Sequence, residues 1–183
     1  SIVLLKNKRN PLPLDKAQTV AVIGPLADHR RAMLGCWAAA GDDRIAASPL
    51  DGIRALLGSD GRVLHARGSN IDDSDSASGA EEMLAEAERM AGKAAVVILV
   101  LGENHEMNGE AASRADIRLP ECQRELARRM LATGKPCILV VMSGRPLDLS
   151  WEAENLPSIV EAWALGTEGG HALAEVLFGD TAP

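Results

Sequence analysis

Three glutamates and a histidine lie close together in one short stretch of the chain. Within the nine residues after Leu101 come Glu103, Glu106 and Glu110, with His105 among them. A positioned carboxylic acid can give or take a proton during catalysis, so this pattern is typical of general acid–base chemistry. Alanine and glycine fill much of the remaining stretch and leave the carboxylates accessible. We interpret the segment 101–114, hereafter the acidic loop, as a working loop rather than an acidic connector.

The sequence predicts a buried strand directly before the acidic loop. All eight residues from 94 to 101 are apolar, which is typical of a strand with both faces buried. Such a strand ends at the carboxyl edge of its sheet, where open α/β sheets place their ligands.

Strands and helices alternate along the chain, which predicts one α/β domain over 1–183. Its expected architecture is a three-layer α/β/α sandwich with a mostly parallel sheet. Residues 1–18 are expected to form an entry arm. The predicted strands are 19–25, 61–66, 94–101, 136–142 and 158–163, and the predicted helices are 48–58, 80–91, 120–131, 151–156 and 167–178.

The composition excludes several classes of protein. The chain of 183 residues has a net charge of -7 and scattered basic residues, which argues against nucleic-acid binding. Its longest apolar run is too short to span a bilayer, so we expect no membrane partner. The three cysteines lack the spacing of a disulfide framework or a zinc site. We therefore expect no metal and no cofactor.

If the predicted strands are parallel, four loops share the edge that carries the acidic loop. They are 24–28, 101–114, 143–146 and 165–170. This grouping would gather carboxylates and guanidinium groups, the side chains that sugar hydroxyls require as partners. The gathered residues would be Glu103, Glu106, Glu110, Arg114, Arg145 and Glu168.

Simpler interpretations remain for the same residues. Glu103 could pair with Arg145 at the sheet edge, and Glu106 and Glu110 could be solvated acids. Trp37 is expected to pack within its own loop, with a sugar platform as the alternative. No Ser or Cys nucleophile accompanies the histidines, and Gly24-Pro25 is not a phosphate-binding glycine motif, which disfavours a hydrolytic triad and a nucleotide site.

Short motifs across nearly the whole chain resemble, in order, those of the second domain of glycoside hydrolase family 3 enzymes, the β-glucosidases and their relatives. The resemblance implies a six-stranded, mostly parallel α/β sandwich. The motifs include Val20-Ala-Val-Ile-Gly-Pro25, Leu34-Gly-Cys-Trp37, Gly109-Glu-Ala-Ala-Ser-Arg114, Thr133-Gly-Lys-Pro136, Gly144-Arg-Pro-Leu147, Gly166-Thr-Glu-Gly-Gly170 and Val176-Leu-Phe-Gly-Asp180.

The resemblance also implies a retaining glycosidase, whose nucleophilic aspartate lies on a preceding (β/α)8 barrel domain. This domain would supply the acid/base glutamate. Glu110 is assigned that role because Asn108-Gly-Glu-Ala resembles the family's Ser-Gly-Glu signature, and Glu106 is the reserve. Trp37, Glu103 and Arg114 are expected to contact the sugar.

The expected partners are a β-linked glycoside and the barrel domain of the same protein. The chain is expected to be part of a longer enzyme and inactive alone. The alternative function is a non-catalytic carbohydrate-binding or interaction module. The resemblance favours a periplasmic or secreted location, whereas three unpaired cysteines agree with a cytoplasmic one. The sequence does not identify the sugar.

Overall fold

A single six-stranded sheet organises the protein. The computed structural model describes residues 2–58, 62–74 and 79–183. The strand order is β1-β6-β5-β4-β2-β3, with β1 antiparallel to β6 and the other pairs parallel. The strands are β1 Val3–Asn7, β2 Val20–Ile23, β3 Val63–Ala66, β4 Val96–Gly102, β5 Cys137–Met142 and β6 Ser158–Glu161.

Helices cover both faces of the sheet and complete the predicted three layers. α1, α2 and α6 pack on one face, and α3, α4 and α5 pack on the other. A short 3-10 helix, Asp43–Ile45, lies between α1 and α2. The α-helices are α1 Arg30–Leu34, α2 Pro49–Leu57, α3 Ala80–Lys93, α4 Glu121–Ala132, α5 Ser150–Asn155 and α6 Gly169–Phe178.

Local sequence explains the regular elements. All seven residues of β4 are buried, because helices cover both faces of this central strand. The predicted start of α2 is confirmed: the Ser48 hydroxyl accepts from the Asp51 N–H, and the Asp51 carboxylate accepts from the Ser48 N–H. This reciprocal capping box satisfies two backbone donors that the first helical turn leaves unpaired.

Three predictions of local structure were wrong. The entry arm contains the strand β1. This strand pairs with β6, which lies far away in the sequence, so the local sequence does not reveal the pairing. Residues 29–47, where the sequence pattern predicts neither a strand nor a helix, contain α1 and the 3-10 helix. α3 continues past Gly92 to Lys93 because a helix tolerates an interior glycine where nothing else stops it. Gly61, expected at the start of β3, lies outside the described residues.

No helix within the described ranges is both long and apolar enough to cross a membrane.

One buried carboxyl group at the end of β6 makes the fold sensitive to pH. Glu161 is 4% exposed, and its Oε1 accepts a hydrogen bond from the Trp163 N–H at 3.1 Å. Burial raises the pKa of Glu161 from its ordinary value of 4.5 to about 7, against the opposing effect of the Trp163 and Ala162 N–H groups. Between pH 4.5 and about 7 the folded protein therefore holds a proton on Glu161 that the unfolded chain has released.

We predict that Glu161 makes the protein less stable as pH rises. A raised folded pKa favours folding fully below pH 4.5, and this contribution is lost as pH rises through about 7. The effect is on the order of 3 kcal/mol. Glu161→Gln should show a smaller fall in the free energy of unfolding between pH 4.5 and 8, measured by denaturant titration. The exposed Glu154→Gln is the control and should follow the wild type; an equal fall in all three proteins would contradict the prediction.

Candidate functional site

The carboxyl ends of four parallel strands meet at one edge of the sheet. β6, β5, β4 and β2 are consecutive neighbours, so the loops that follow them share this edge as the sequence analysis predicts. The acidic loop leaves the middle of the row.

The end of β4 is held rigidly where the acidic loop begins. Gly102 has φ +137°, and a Cβ there would lie 1.8 Å from the Met142 carbonyl oxygen. The buried Gln123 amide accepts from the Gly102 N–H and donates to the Gly102 carbonyl, both at 2.8 Å. Sequence reasoning missed Gln123, since a single glutamine in an amphipathic helix carries no signal of this contact.

Glu103 is buried at the base of the acidic loop between two arginines. Its side chain is fully buried, with Oε1 2.6 Å from Arg114 Nη1 and Oε2 3.1 Å from Arg145 Nε. The pairing with Arg145 that the sequence left open is therefore present. A carboxylate removed from water needs this compensation on both oxygens. The sugar-binding roles assigned to Glu103 and Arg114 stay predictions.

Arg145 also ties the acidic loop together along its length. Its Nη2 donates to the carbonyl oxygens of Met107 at 2.6 Å and Ala112 at 2.7 Å.

Two asparagines that sequence reasoning missed form further hydrogen bonds within the acidic loop. Asn104 Oδ1 accepts from the N–H groups of residues 106 and 107 at 3.1 Å, and Asn108 donates to the Asn104 carbonyl at 2.7 Å. Hydrogen bonds of these side chains and of Arg145 therefore hold the backbone of the acidic loop in one conformation.

The two candidate catalytic glutamates lie on the solvent-exposed surface of the acidic loop. Glu106 and Glu110 are both exposed. Gly109, with φ +98°, brings the backbone before Glu110 against Cys36: a Cβ there would lie 2.9 Å from Cys36 Sγ and 3.9 Å from Trp37 Cζ2. The backbone at Gly109, one residue before Glu110, therefore lies close to Cys36 and the edge of the Trp37 ring.

Trp37 is 72% exposed, so the expectation that it packs within its own loop was wrong. The segment after α1 approaches the acidic loop at Gly109 and leaves most of the indole ring in solvent. Its role as a sugar platform stays a prediction.

Two histidines from neighbouring loops meet beside the glutamates. The rings of His29 and His105 are edge to face, with centroids 6.0 Å apart. Burial lowers the pKa of His29 below its ordinary 6.5, and the nearby His105 acts in the same direction. A neutral imidazole agrees with the role of His29 Nδ1, which accepts from the Ala32 N–H at 3.1 Å at the start of α1. His29 was not singled out from sequence.

One residue that the sequence predicts near the acidic loop, Glu168, forms no polar contact with it among the described residues. Glu168 lies exposed before α6, and in the described part of the chain its side chain forms no hydrogen bond or ion pair with the acidic loop. Among residues 2–58, 62–74 and 79–183, no cluster of three or more His, Cys, Asp and Glu side chains is arranged to hold a metal ion.

Nearly the whole chain matches one known protein family. Residues 2–183 match the glycosyl hydrolase family 3 C-terminal domain. The chain is 43% identical to the periplasmic beta-glucosidase of Salmonella typhimurium and 40% identical to a beta-xylosidase of Formosa agariphila, with all of this chain aligned in both cases. It covers 26% and 25% of those two proteins, about a quarter of their length.

Solved structures agree with this match. The chain superposes on the beta-glucosidase of Listeria innocua in complex with isofagomine with a TM-score of 0.89 at 34% identity, covering 99% of this chain and 24% of that one. A β-glucosidase of Erythrobacter marinus superposes with a TM-score of 0.87 at 33% identity, covering 98% of this chain and 27% of that one.

We predict that Arg145 holds the acidic loop in its folded form. Arg145→Met should lower the free energy of unfolding by about 3 kcal/mol, because it leaves the buried Glu103 carboxylate short of a partner. Hydrogen exchange of the backbone amides in 104–113 should become much faster, since two carbonyl contacts are lost.

The control is Arg44→Met, which removes a solvent-exposed pair with Asp42 and should leave stability nearly unchanged, because solvent screens such a pair. Unchanged exchange in the Arg145 variant would show that the acidic loop does not depend on this guanidinium.

Proposed function

Because the chain belongs to glycosyl hydrolase family 3, as its C-terminal domain, we propose that it supplies the acid/base glutamate of a retaining β-glycosidase. Glu110 is the proposed acid/base residue, and Glu106 is the reserve. The proposed substrates are glycosides with terminal β-linked sugars, in keeping with relatives described as beta-glucosidase and beta-xylosidase.

The placement of Glu110 carries this proposal. The residue projects from a loop whose base is a buried ion pair, so the backbone is held while the carboxyl group remains exposed. An acid/base residue needs both properties, since it must reach the substrate and return to the same position at every turnover. The exposed Trp37 ring, which lies close to the neighbouring Gly109, offers an apolar face for a sugar.

The proposed partner is a (β/α)8 barrel domain that bears the nucleophilic aspartate. The connections at the carboxyl edge of the sheet expose three large apolar side chains, Trp37, Ile45 and Ile117, which are 72%, 68% and 41% exposed. Exposed apolar side chains around a polar centre are typical of a surface that a second domain covers. A barrel placed there would meet the acidic loop directly.

In the proposed reaction Glu110 acts twice. It first gives its proton to the glycosidic oxygen while the aspartate of the barrel attacks the anomeric carbon, and a glycosyl–enzyme ester forms. Glu110, now a carboxylate, then takes a proton from the water that hydrolyses this ester, and the β configuration is retained. The two carboxyl groups of a retaining pair must lie about 5–5.5 Å apart, so the barrel must bring its aspartate close to the acidic loop.

We predict that Glu110→Ala in the complete enzyme separates substrates by leaving group. Hydrolysis of poorly activated aryl glycosides should slow by about 100- to 10,000-fold, because protonation of the leaving oxygen is lost. Glycosides with good leaving groups should still glycosylate the enzyme. Azide should then accelerate the second step, because it needs no proton removal, and the product should be the β-glycosyl azide.

Glu106→Ala is the matched control, since it removes a second exposed carboxyl group from the same loop. The opposite pattern in the two variants would transfer the role to Glu106. Equal rate losses on both classes of substrate in the Glu110 variant, without azide rescue, would refute its assignment.

Trp37 provides a further test of the same surface. Trp37→Ala in the complete enzyme should raise KM by about five- to tenfold, since an aromatic contact contributes about 1 kcal/mol. Its exposed ring predicts a change in unfolding free energy below about 0.5 kcal/mol. Trp151→Ala is the control: this half-buried ring packs on the core, so its loss should lower stability and leave KM unchanged. An unchanged KM for Trp37→Ala would exclude a contact with the sugar.

A further inference from the structure

A basic pocket lies at the edge of the sheet opposite the acidic loop. It is a cavity of about 550 Å3 where β5 and β6 begin and β1 ends. Three stretches of chain line it, within 6–11, 131–137 and 154–157. The proposed glycosidase reaction uses none of these residues.

Positive charge dominates this pocket. Its lining has four basic side chains, Lys6, Lys8, Arg9 and Lys135, and one acidic side chain, Glu154. This excess stands out in a chain whose net charge is -7. Clefts lined by one sign of charge concentrate ligands of the opposite sign.

Two of the cations are already fixed in place. Lys6 Nζ donates to the carbonyl oxygens of Ala153 at 2.5 Å and Leu156 at 2.6 Å, and Lys135 Nζ donates to the Ala94 carbonyl at 2.7 Å. An ammonium group has three donors, so Lys6 retains one and Lys135 retains two. A ligand would therefore find these charges ordered before it binds, which reduces the entropic cost of binding.

The other two cations have their full binding capacity available. Lys8 and Arg9 are exposed, and within the described ranges neither side chain has a hydrogen-bond or ion-pair partner. Glu154 forms no ion pair with either of them there. The backbone beneath them is held, because the Lys8 N–H donates to the Pro157 carbonyl at 2.8 Å.

The rest of the lining is apolar and stiff. The partly exposed Leu131 contributes aliphatic surface, and three prolines, Pro11, Pro136 and Pro157, have fixed φ angles. A ring can pack against such a wall while an anionic group contacts the basic rim.

We propose that the basic pocket binds a phosphate ester of the size of a sugar phosphate or a nucleotide. Its volume falls in the range of small-molecule sites, about 300–1,000 Å3. A phosphate dianion accepts several charge-assisted hydrogen bonds at once, and the four basic residues that line the pocket have donors available for them. The site lies apart from the acidic loop, so this inference does not depend on the proposed glycosidase function.

Isothermal titration calorimetry on the complete protein tests this inference. Glucose 6-phosphate and AMP are the two ester probes, glucose and adenosine are their uncharged counterparts, and inorganic phosphate and citrate are the anion controls. At least one ester should bind ten times more tightly than inorganic phosphate and citrate, and more weakly as salt rises. The tighter of the two esters identifies the source. Absence of ester binding, or equal binding of citrate or inorganic phosphate, would overturn the proposal.

A pair of charge-matched variants then locates the binding. Lys8→Gln with Arg9→Asn removes two cations from the pocket, and asparagine suits the left-handed backbone at position 9, where φ is 69°. Arg54→Gln with Arg89→Gln removes two exposed cations on α2 and α3 outside it. Only the first variant should weaken ester binding, by at least tenfold, and both should keep the wild-type Tm. Equal weakening, or none in the first variant, would place the ligand elsewhere.

Discussion

The acidic loop depends on one buried carboxylate. Glu103 is completely removed from solvent, and each of its oxygens is held by a different guanidinium group. Leaving such a group unpaired would cost several kcal/mol, so Arg114 and Arg145 must stay close to it. Arg145 in turn binds two carbonyl oxygens of the loop. The burial of a single charge thereby constrains the path of the chain from β4 onwards.

Three glutamates in this loop have the same side chain and different tasks because their environments differ. Glu103 is buried and paired, and it stabilises the loop. Glu106 and Glu110 are exposed at the outer surface. Support of the loop and the proposed chemistry therefore fall on different residues: Glu103 holds the loop through its two ion pairs, and the proposed proton donor, Glu110, is exposed.

The parallel sheet makes its two edges chemically distinct. The carboxyl edge carries the acidic loop and the exposed Trp37 ring, while the amino edge carries the basic pocket around Lys8 and Arg9. Because β2, β4, β5 and β6 run in the same direction, all loops of one kind meet at the same edge. One domain can therefore present two separate surfaces of different composition.

The sequence by itself determined the layers and the edge that bears the acidic loop, because the apolar run at 94–101 and the capping pattern at Ser48 are local signals. Only the tertiary structure decided that β1 joins the sheet, that Gln123 holds the end of β4, that Glu103 is buried between two arginines and that Trp37 is exposed. Each depends on how distant segments of the chain pack together, which periodicity and spacing do not decide. The sequence allowed a pair between Glu103 and Arg145 only as one alternative.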